Sequence, residues 1–361
     1  MRNCLIPSER ERVNETLSAE ILQEPLEALA SVMGVFLVTV FIIRRLSQSL
    51  LVLFITSVIV FAGIYAIGNP VDILIAGDAT PAEREQAIRA LGLDRSLLEQ
   101  YGTFIWNALQ GDLGRSFVFN QPSIDLILNR MPATLELAFV ALALSLVLGI
   151  PLGLWAGLRP GTTLDETVMT GSILGFSLPN FWQGMMLIMI FSVWLGWLPS
   201  TGRGEIGSFL GIQTSLVTWS GLSHLILPAL NLALFNISLV IRLTRSGVRE
   251  TMPLDFVKFA RAKGLSEHRI VSVHVLKNIM IPIVTVVGVE FGSLIAFAVV
   301  TETIFAWPGM GKLLIDSIMR LDRPVVVAYL LVVVTMFIVI NFVVDILYSL
   351  LDPRIRLGSA S

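Results

Sequence analysis

Cysteine is almost absent from this chain: Cys4 is the single one in 361 residues. That excludes an internal disulfide framework and a multi-cysteine metal site. Histidine is nearly as scarce, and His224, His268 and His274 are too scattered to form a metal cluster. No metal and no cofactor is expected. Charge is thin as well, with 14% Asp, Glu, Lys and Arg against 55% hydrophobic residues and a mean hydropathy of +0.80. A water-soluble domain of this length needs more charge than that to cover its surface. The net charge of −2 is uninformative, because charge is segregated along the chain. Catalytic signatures are missing too: there is no G-x-x-x-x-G-K-[ST] phosphate loop, no H-E-x-x-H and no G-x-S-x-G. An intramembrane enzyme lacks its nucleophile–base set here, and ATP-driven work would need another chain.

What the chain does have is long apolar runs. A hydrocarbon core takes about 20 apolar residues as helix. Six stretches qualify: Leu50–Ile67, Leu135–Leu158, a broken region Val168–Leu198, His224–Leu243, Ile279–Phe305 and Val325–Leu350. The segment Gly68–Thr134 carries five Arg and eight Asp/Glu, a balance of −3. The loop Thr244–Asn278 carries seven Lys/Arg against three acids, a balance of +4. Arg44 and Arg45 precede the first span, and Arg354 and Arg356 follow the last. Positive loops stay inside, so both termini and the basic loop are expected in the cytoplasm.

The N-terminus is read less simply. Residues 1–25 are polar and lack the basic start, apolar core and cleavage site of a signal peptide. Residues 26–43 are mostly apolar but hold Glu27 and Ser31, which favours an interfacial helix over a seventh span. Met33 is an alternative start.

The basic loop is patterned like structure. Pro253 suits a helix start, Phe256, Phe259 and Ala260 share a face at i, i+3, i+4, Gly264 breaks the helix, and Ser266 can cap the next. This predicts a short helix held out into the cytoplasm. The loop also carries Ala260-Arg261-Ala262-Lys263-Gly264-Leu265-Ser266, followed by Pro282 eighteen residues after Gly264. Further motifs run in order: Gly111-Asp112-Leu113-Gly114-Arg115-Ser116, Arg130-Met131-Pro132-Ala133-Thr134-Leu135-Glu136-Leu137, Ser177-Leu178-Pro179-Asn180-Phe181-Trp182 and Leu195-Gly196-Trp197-Leu198-Pro199. Glu302-Thr303-Ile304-Phe305-Ala306-Trp307-Pro308-Gly309 and the tail Leu351-Asp352-Pro353-Arg354-Ile355-Arg356 complete the series.

Together these motifs resemble the ABC importer permeases of the dipeptide/oligopeptide/nickel class, from about Phe41 to Gly358. The resemblance implies an all-α polytopic membrane protein of the type I importer kind. It has six transmembrane helices, a periplasmic helical segment and a cytoplasmic coupling helix. The expected division is an N-terminal extension with interfacial helix (1–49), the first span (50–67), a periplasmic segment (68–133), the transmembrane core (134–350, coupling loop 244–278) and a cytoplasmic tail (351–361). The implied function is that of a permease subunit importing peptides or related small solutes, or chelated nickel. The implied partners are a second homologous permease, two cytoplasmic ABC ATPases, a periplasmic or lipid-anchored binding protein and membrane lipid, with no nucleic acid. Asp255, Ala260, Arg261, Lys263 and Gly264 would couple to an ATPase, Ala260 and Gly264 by allowing close docking. The rival reading is a non-conducting membrane scaffold.

Within the spans, small residues recur at four-residue spacing: Gly149, Gly153 and Gly157; Gly171 and Gly175; Gly288 and Gly292. Such faces either pack helices statically or slide against a partner. The break at Ser177–Asn180 either lines a cavity, which makes Asn180 a path residue, or kinks a packed helix. Glu290 is an acid deep in the fifth span and must face the interior, a pore or a partner. It would either meet a substrate amine or bond a neighbouring helix. Glu302 reads as structural, and Asn341 and Asp345 are expected to bond between helices.

Overall fold

The structure is a computed structural model that describes residues 40, 43–63, 80–90, 94–209 and 211–351. The interfacial reading of 26–43 and the tail 352–361 lie outside the described residues, apart from residues 40 and 43. The chain divides into two units at Val52/Leu53. The site-bearing unit runs from Leu53 to Leu351; of the other, only residue 40 and residues 43–52 are described, as helix.

Helices dominate. They are α1 (Ile43–Gly63), α2 (Pro81–Ala90), α3 (Leu97–Leu109), α4 (Ser123–Leu158), α5 (Thr163–Ser177), α6 (Asn180–Leu187), α7 (Trp219–Thr251), α8 (Asp255–Ala262), α9 (Glu267–Ile304), α10 (Met310–Met319) and α11 (Arg323–Leu351). A π-helical turn, Ile188–Trp194, continues α6, and another, Ile270–Val275, lies inside α9. One small hairpin, β1 (Gly207–Phe209) with β2 (Ile212–Thr214), interrupts them. Among the described residues five helices, α1, α4, α7, α9 and α11, are long and apolar enough to cross a membrane. The 36 residues of α4 make a rod of about 54 Å, so it overshoots a ~30 Å hydrocarbon core. Helix α1 is already formed at Ile43, ahead of the apolar run that starts at Leu50.

The glycine stripes show how the long helices pair. A Cβ on Gly149 would lie 2.7 Å from Val240, one on Gly153 2.6 Å from Thr244, and one on Gly157 2.8 Å from Val248. Both helices advance together by four residues, so α4 and α7 run parallel at backbone contact. Gly288 meets Val344 and Gly292 meets Phe337, which makes α9 and α11 antiparallel. These stripes are static packing inside one chain, and the sliding-surface reading does not apply to them. Gly171 differs: nothing lies within 4 Å of its Cβ position.

Because α4 and α7 point the same way, the chain must cross back between them. The bent pair α5–α6 does so, turning by 110° at the Ser177–Asn180 break. Asp165, in the first turn of α5, holds Arg245 near the basic-loop end through bonds of 2.6 and 2.9 Å. At the other end the Gly202 amide donates to the Phe305 carbonyl at 2.8 Å. Counting the bent pair as one span, the described residues hold up to six crossings, the third sharply bent. Pro179 lacks the amide that would serve the Gly175 carbonyl four residues back. Gln183 replaces it, donating from Nε2 to Gly175 O at 2.8 Å and Leu178 O at 2.9 Å.

The segment after α1 carries the helices α2 and α3. Ser96 and Glu99 form a capping box for α3. Tyr101 and Phe104 pack on Phe61, and the Tyr101 hydroxyl is 2.8 Å from that of Ser57. Leu97 and Leu98, in the first turn of α3, are exposed. The Gly111–Ser116 motif forms a tight loop with two glycines at positive φ, Gly111 and Gly114. It docks on Asp322, which accepts from Ser116 Oγ and, at 3.0 Å, from the Phe117 amide.

Candidate functional site

The basic loop folds as expected in outline and differently in detail. The short helix α8 begins at Asp255, two residues after Pro253. Its end is a Schellman turn: the Leu265 amide donates to Ala260 O at 3.3 Å and the Gly264 amide to Arg261 O at 3.0 Å. Gly264 sits at φ +78, a conformation that disfavours any side chain, although the space around it is open. Ser266 Oγ then accepts from the Arg269 amide and starts α9.

The face assignment of α8 needs correction. Val257 (0% exposed) and Ala260 (5%) turn inward, while Phe256 (41%) and Phe259 (61%) turn out. Ala260 therefore packs against its own chain, and the close approach it was expected to offer a partner is used internally. Val257 and Ala260 join one apolar cluster with Val240 and Val248 of α7 and with Ile270, Ile279, Ile283 and Val287 of α9. On the outer side, Arg261 grips Glu267 in a two-pronged pair at 2.6 and 3.1 Å. Lys258 reaches Asp255 at 2.9 Å, and Lys263 stands 4.6 Å over the Phe259 ring. Exposed pairs of this kind are weakly held and exchange readily for contacts with another surface.

The second site is a cavity of about 390 Å³ walled by α5, α6, α7 and α9. Asn180 and Glu290, 110 positions apart in sequence, both line it, so the two path candidates converge. Asn180 Oδ1 accepts from Asn231 Nδ2 at 2.5 Å, and the same amide group donates to Thr301 Oγ1 at 3.0 Å. That chain of polar groups joins α6, α7 and α9 across the bend. Phe176 and Phe235 stack with centroids 4.9 Å apart, and the Arg242 guanidinium lies 4.4 Å over Phe176. Glu290 has no hydrogen-bond or ion-pair partner among the described residues, so the helix-to-helix bond envisaged for it is not made among them. Asn341 likewise bonds its own helix, donating to Phe337 O at 2.8 Å, because its side chain folds back along the turn before it. Sequence reading missed Asn231, Asn236 and Gln183; three amides inside apolar runs were the available signal.

A third cluster explains several motifs as structure. Glu302 is fully buried and accepts from Thr134 Oγ1 at 2.6 Å and the Lys312 amide at 3.0 Å. Thr134 Oγ1 accepts in turn from the Met310 amide at 2.8 Å, and Trp307 Nε1 donates to Ala133 O at 2.9 Å. A Cβ on Gly309 would fall 2.1 Å from the Glu302 carboxylate, which is why that turn carries glycine. The hub ties α4, α9 and α10 together far from the basic loop. Beside it, Glu136 accepts from Arg203, Ser215 Oγ and, at 3.0 Å, the Ser215 amide, anchoring the hairpin loop.

Comparison with known proteins agrees with this architecture. Residues 149–357 match the family described as "Binding-protein-dependent transport system inner membrane component", and residues 38–138 match its N-terminal counterpart. The di/tripeptide transport system permease protein DppB of Pseudomonas aeruginosa is 43% identical over 330 residues, covering 88% of this chain and 98% of that protein. The dipeptide transport system permease protein DppB of Escherichia coli K12 is 38% identical over 334 residues, with the same coverage. A putative peptide transport system permease protein of Brucella melitensis is 39% identical over 321 residues, covering 89% of this chain and 99% of that protein. Among solved structures, a chain of the MetNI methionine ABC transporter in an inward-facing conformation superposes with a TM-score of 0.51 at 19% identity, covering 63% of this chain and 96% of that one. That likeness concerns the fold.

Proposed function

We propose a working cycle from one premise: this chain belongs to the binding-protein-dependent transport system inner membrane components, matched over most of its length. It is a multi-pass inner-membrane permease subunit of an ABC importer, and the ATPase is another subunit. The finer reading is that it pairs with a second homologous permease, that two ATPases bind its basic loop and that of its partner, and that a binding protein delivers cargo. The cargo is a di- or tripeptide, in line with the di/tripeptide and dipeptide transport systems to which the relatives belong. The conducting core is 134–350, and both termini face the cytoplasm. The scaffold reading has no observation in its favour.

One observation carries the cycle. The exposed Phe256/Phe259 face belongs to a helix cored into α7 and α9, and those same two helices wall the cavity. A displacement of α8 by a closing ATPase therefore moves Asn231–Asn236 and Glu290–Phe297 relative to the α5–α6 wall, opening or closing the cavity. Arg261, Lys263 and Asp255 supply polar anchors around that face, and Gly264 sets its turn.

Two experiments test this. With its partner subunits in vesicles, the protein should take up alanyl-alanine only when both the loaded binding protein and ATP are present; uptake without ATP overturns the importer cycle. For orientation, cysteine at exposed His268, in a Cys4→Ser background, should react with an impermeant thiol reagent in inside-out vesicles and not in intact cells. Labelling from outside intact cells reverses the assigned topology.

A further inference from the structure

We propose that Glu290 is the binding point for the cargo's ammonium group within the cavity, an inference that rests on the cavity being the path. Among the residues that line this space, Glu290 is the single charged one; the rest are amides, one serine, glycine, leucines and the rings of Phe176, Phe235 and Phe297. The charge lies twelve residues before Glu302 on α9, about 18 Å along the rod, so it stands well inside the crossing. A charged group at the centre of a membrane helix is costly, and no group among the described residues offsets it.

The surroundings select the sign and kind of ligand. A lone carboxylate attracts a cation and repels the carboxylate end of a peptide. Phenylalanine faces favour cations as well, and Arg242 already lies over one face of Phe176. Asn231 and Asn236 line the same wall, and each has a buried Oδ1 with no hydrogen-bond partner among the described residues. Both are acceptors, so this wall is short of donors. A primary ammonium supplies three donors and a positive charge in one compact group. The volume of about 390 Å³ lies in the range of small-molecule sites. The ligand class is therefore a small solute carrying a protonated amine, oriented with its amine towards α9 and its carboxylate towards the Asn180 side.

The test uses the complete complex in vesicles with saturating, alanyl-alanine-loaded binding protein. Glu290→Gln keeps the shape and removes the charge, Glu290→Asp keeps the charge, and Ser293→Trp plugs the cavity at half-buried Ser293. Each complex is first checked for copurification of all subunits. The expected result is an intact Glu290→Gln complex whose uptake falls about tenfold or more, the loss of a charge-assisted bond, with substantial recovery in Glu290→Asp. Unchanged uptake in Glu290→Gln alongside a block in Ser293→Trp overturns the ammonium site and leaves the path standing. Unchanged uptake in Ser293→Trp removes the path reading itself. Loss of subunits from the Glu290→Gln complex assigns the carboxylate to the partner permease and overturns the proposal.

Discussion

Gly153→Val should leave almost no folded protein to extract from the membrane. The added Cβ would stand 2.6 Å from the Thr244 Cβ and 2.7 Å from the Ile241 carbonyl oxygen. The second of these is backbone, so no rotamer change relieves it and the helix axes must separate. Overpacking a core costs about 1–3 kcal/mol when side chains can shift, and a rigid backbone neighbour puts this site at or beyond the top of that range. Separation here also undoes the neighbouring contacts of Gly149 with Val240 and Gly157 with Val248, because all three lie on one straight interface. Gly171→Val is the matched control: its Cβ position is open, and valine there should behave like the parent. The measurement is the monodisperse peak and melting temperature of the detergent-extracted protein. An unchanged melting temperature for Gly153→Val would show that α4 and α7 do not approach as closely as described.

The second large effect is expected on function. Replacing Phe256 and Phe259 together by Asp should abolish copurification of the ATPase and lower ATP-dependent uptake by several hundredfold, the scale of losing two anchors worth about 2 kcal/mol each. Both rings project from α8 into open space, 41% and 61% exposed, while the residues holding α8 in place, Val257 and Ala260, point the other way. The substitutions thus remove the contact face and leave its footing intact, and the permease itself should extract and melt normally. Full ATPase copurification with the doubly substituted chain would sink the coupling role of this face. Gly264→Ala makes a useful contrast: left-handed backbone costs an alanine roughly 1–2 kcal/mol locally, so the loop should loosen without losing its docking rings.

Much of this was legible in the residues themselves. Apolar runs of span length, the excess of Lys and Arg in 244–278 and the acidic balance of 68–134 need no tertiary information, because a bilayer acts on each segment directly. The turn at Gly264, the cap at Ser266 and the break at Pro179 are local backbone chemistry, and each appears where its residue type demands it. Periodicity also predicted a short helix after Pro253, but it could not say which side faces in. An eight-residue helix with Phe256, Val257, Phe259 and Ala260 has two apolar faces, and only the shape of the groove between α7 and α9 decides that the small pair fits.

The same limit explains the other differences. A glycine stripe announces close approach but not its partner; the backbone positions of Val240, Thr244 and Val248 turned a possible sliding face into fixed packing. Gln183 looks like an unremarkable polar residue until the bend places its amide beside the orphaned Gly175 carbonyl. Asn180 and Glu290 were each suspect alone, for a helix break and for a buried charge. That they wall one cavity with Asn231 and Asn236 depends on helices from distant parts of the chain crossing at one height. The sequence by itself determined the apolar spans and the local turns, since these are set by solvent and by neighbouring residues. Tertiary structure alone decided which faces meet, because contact between distant segments is a property of how the rods pack and not of any one of them.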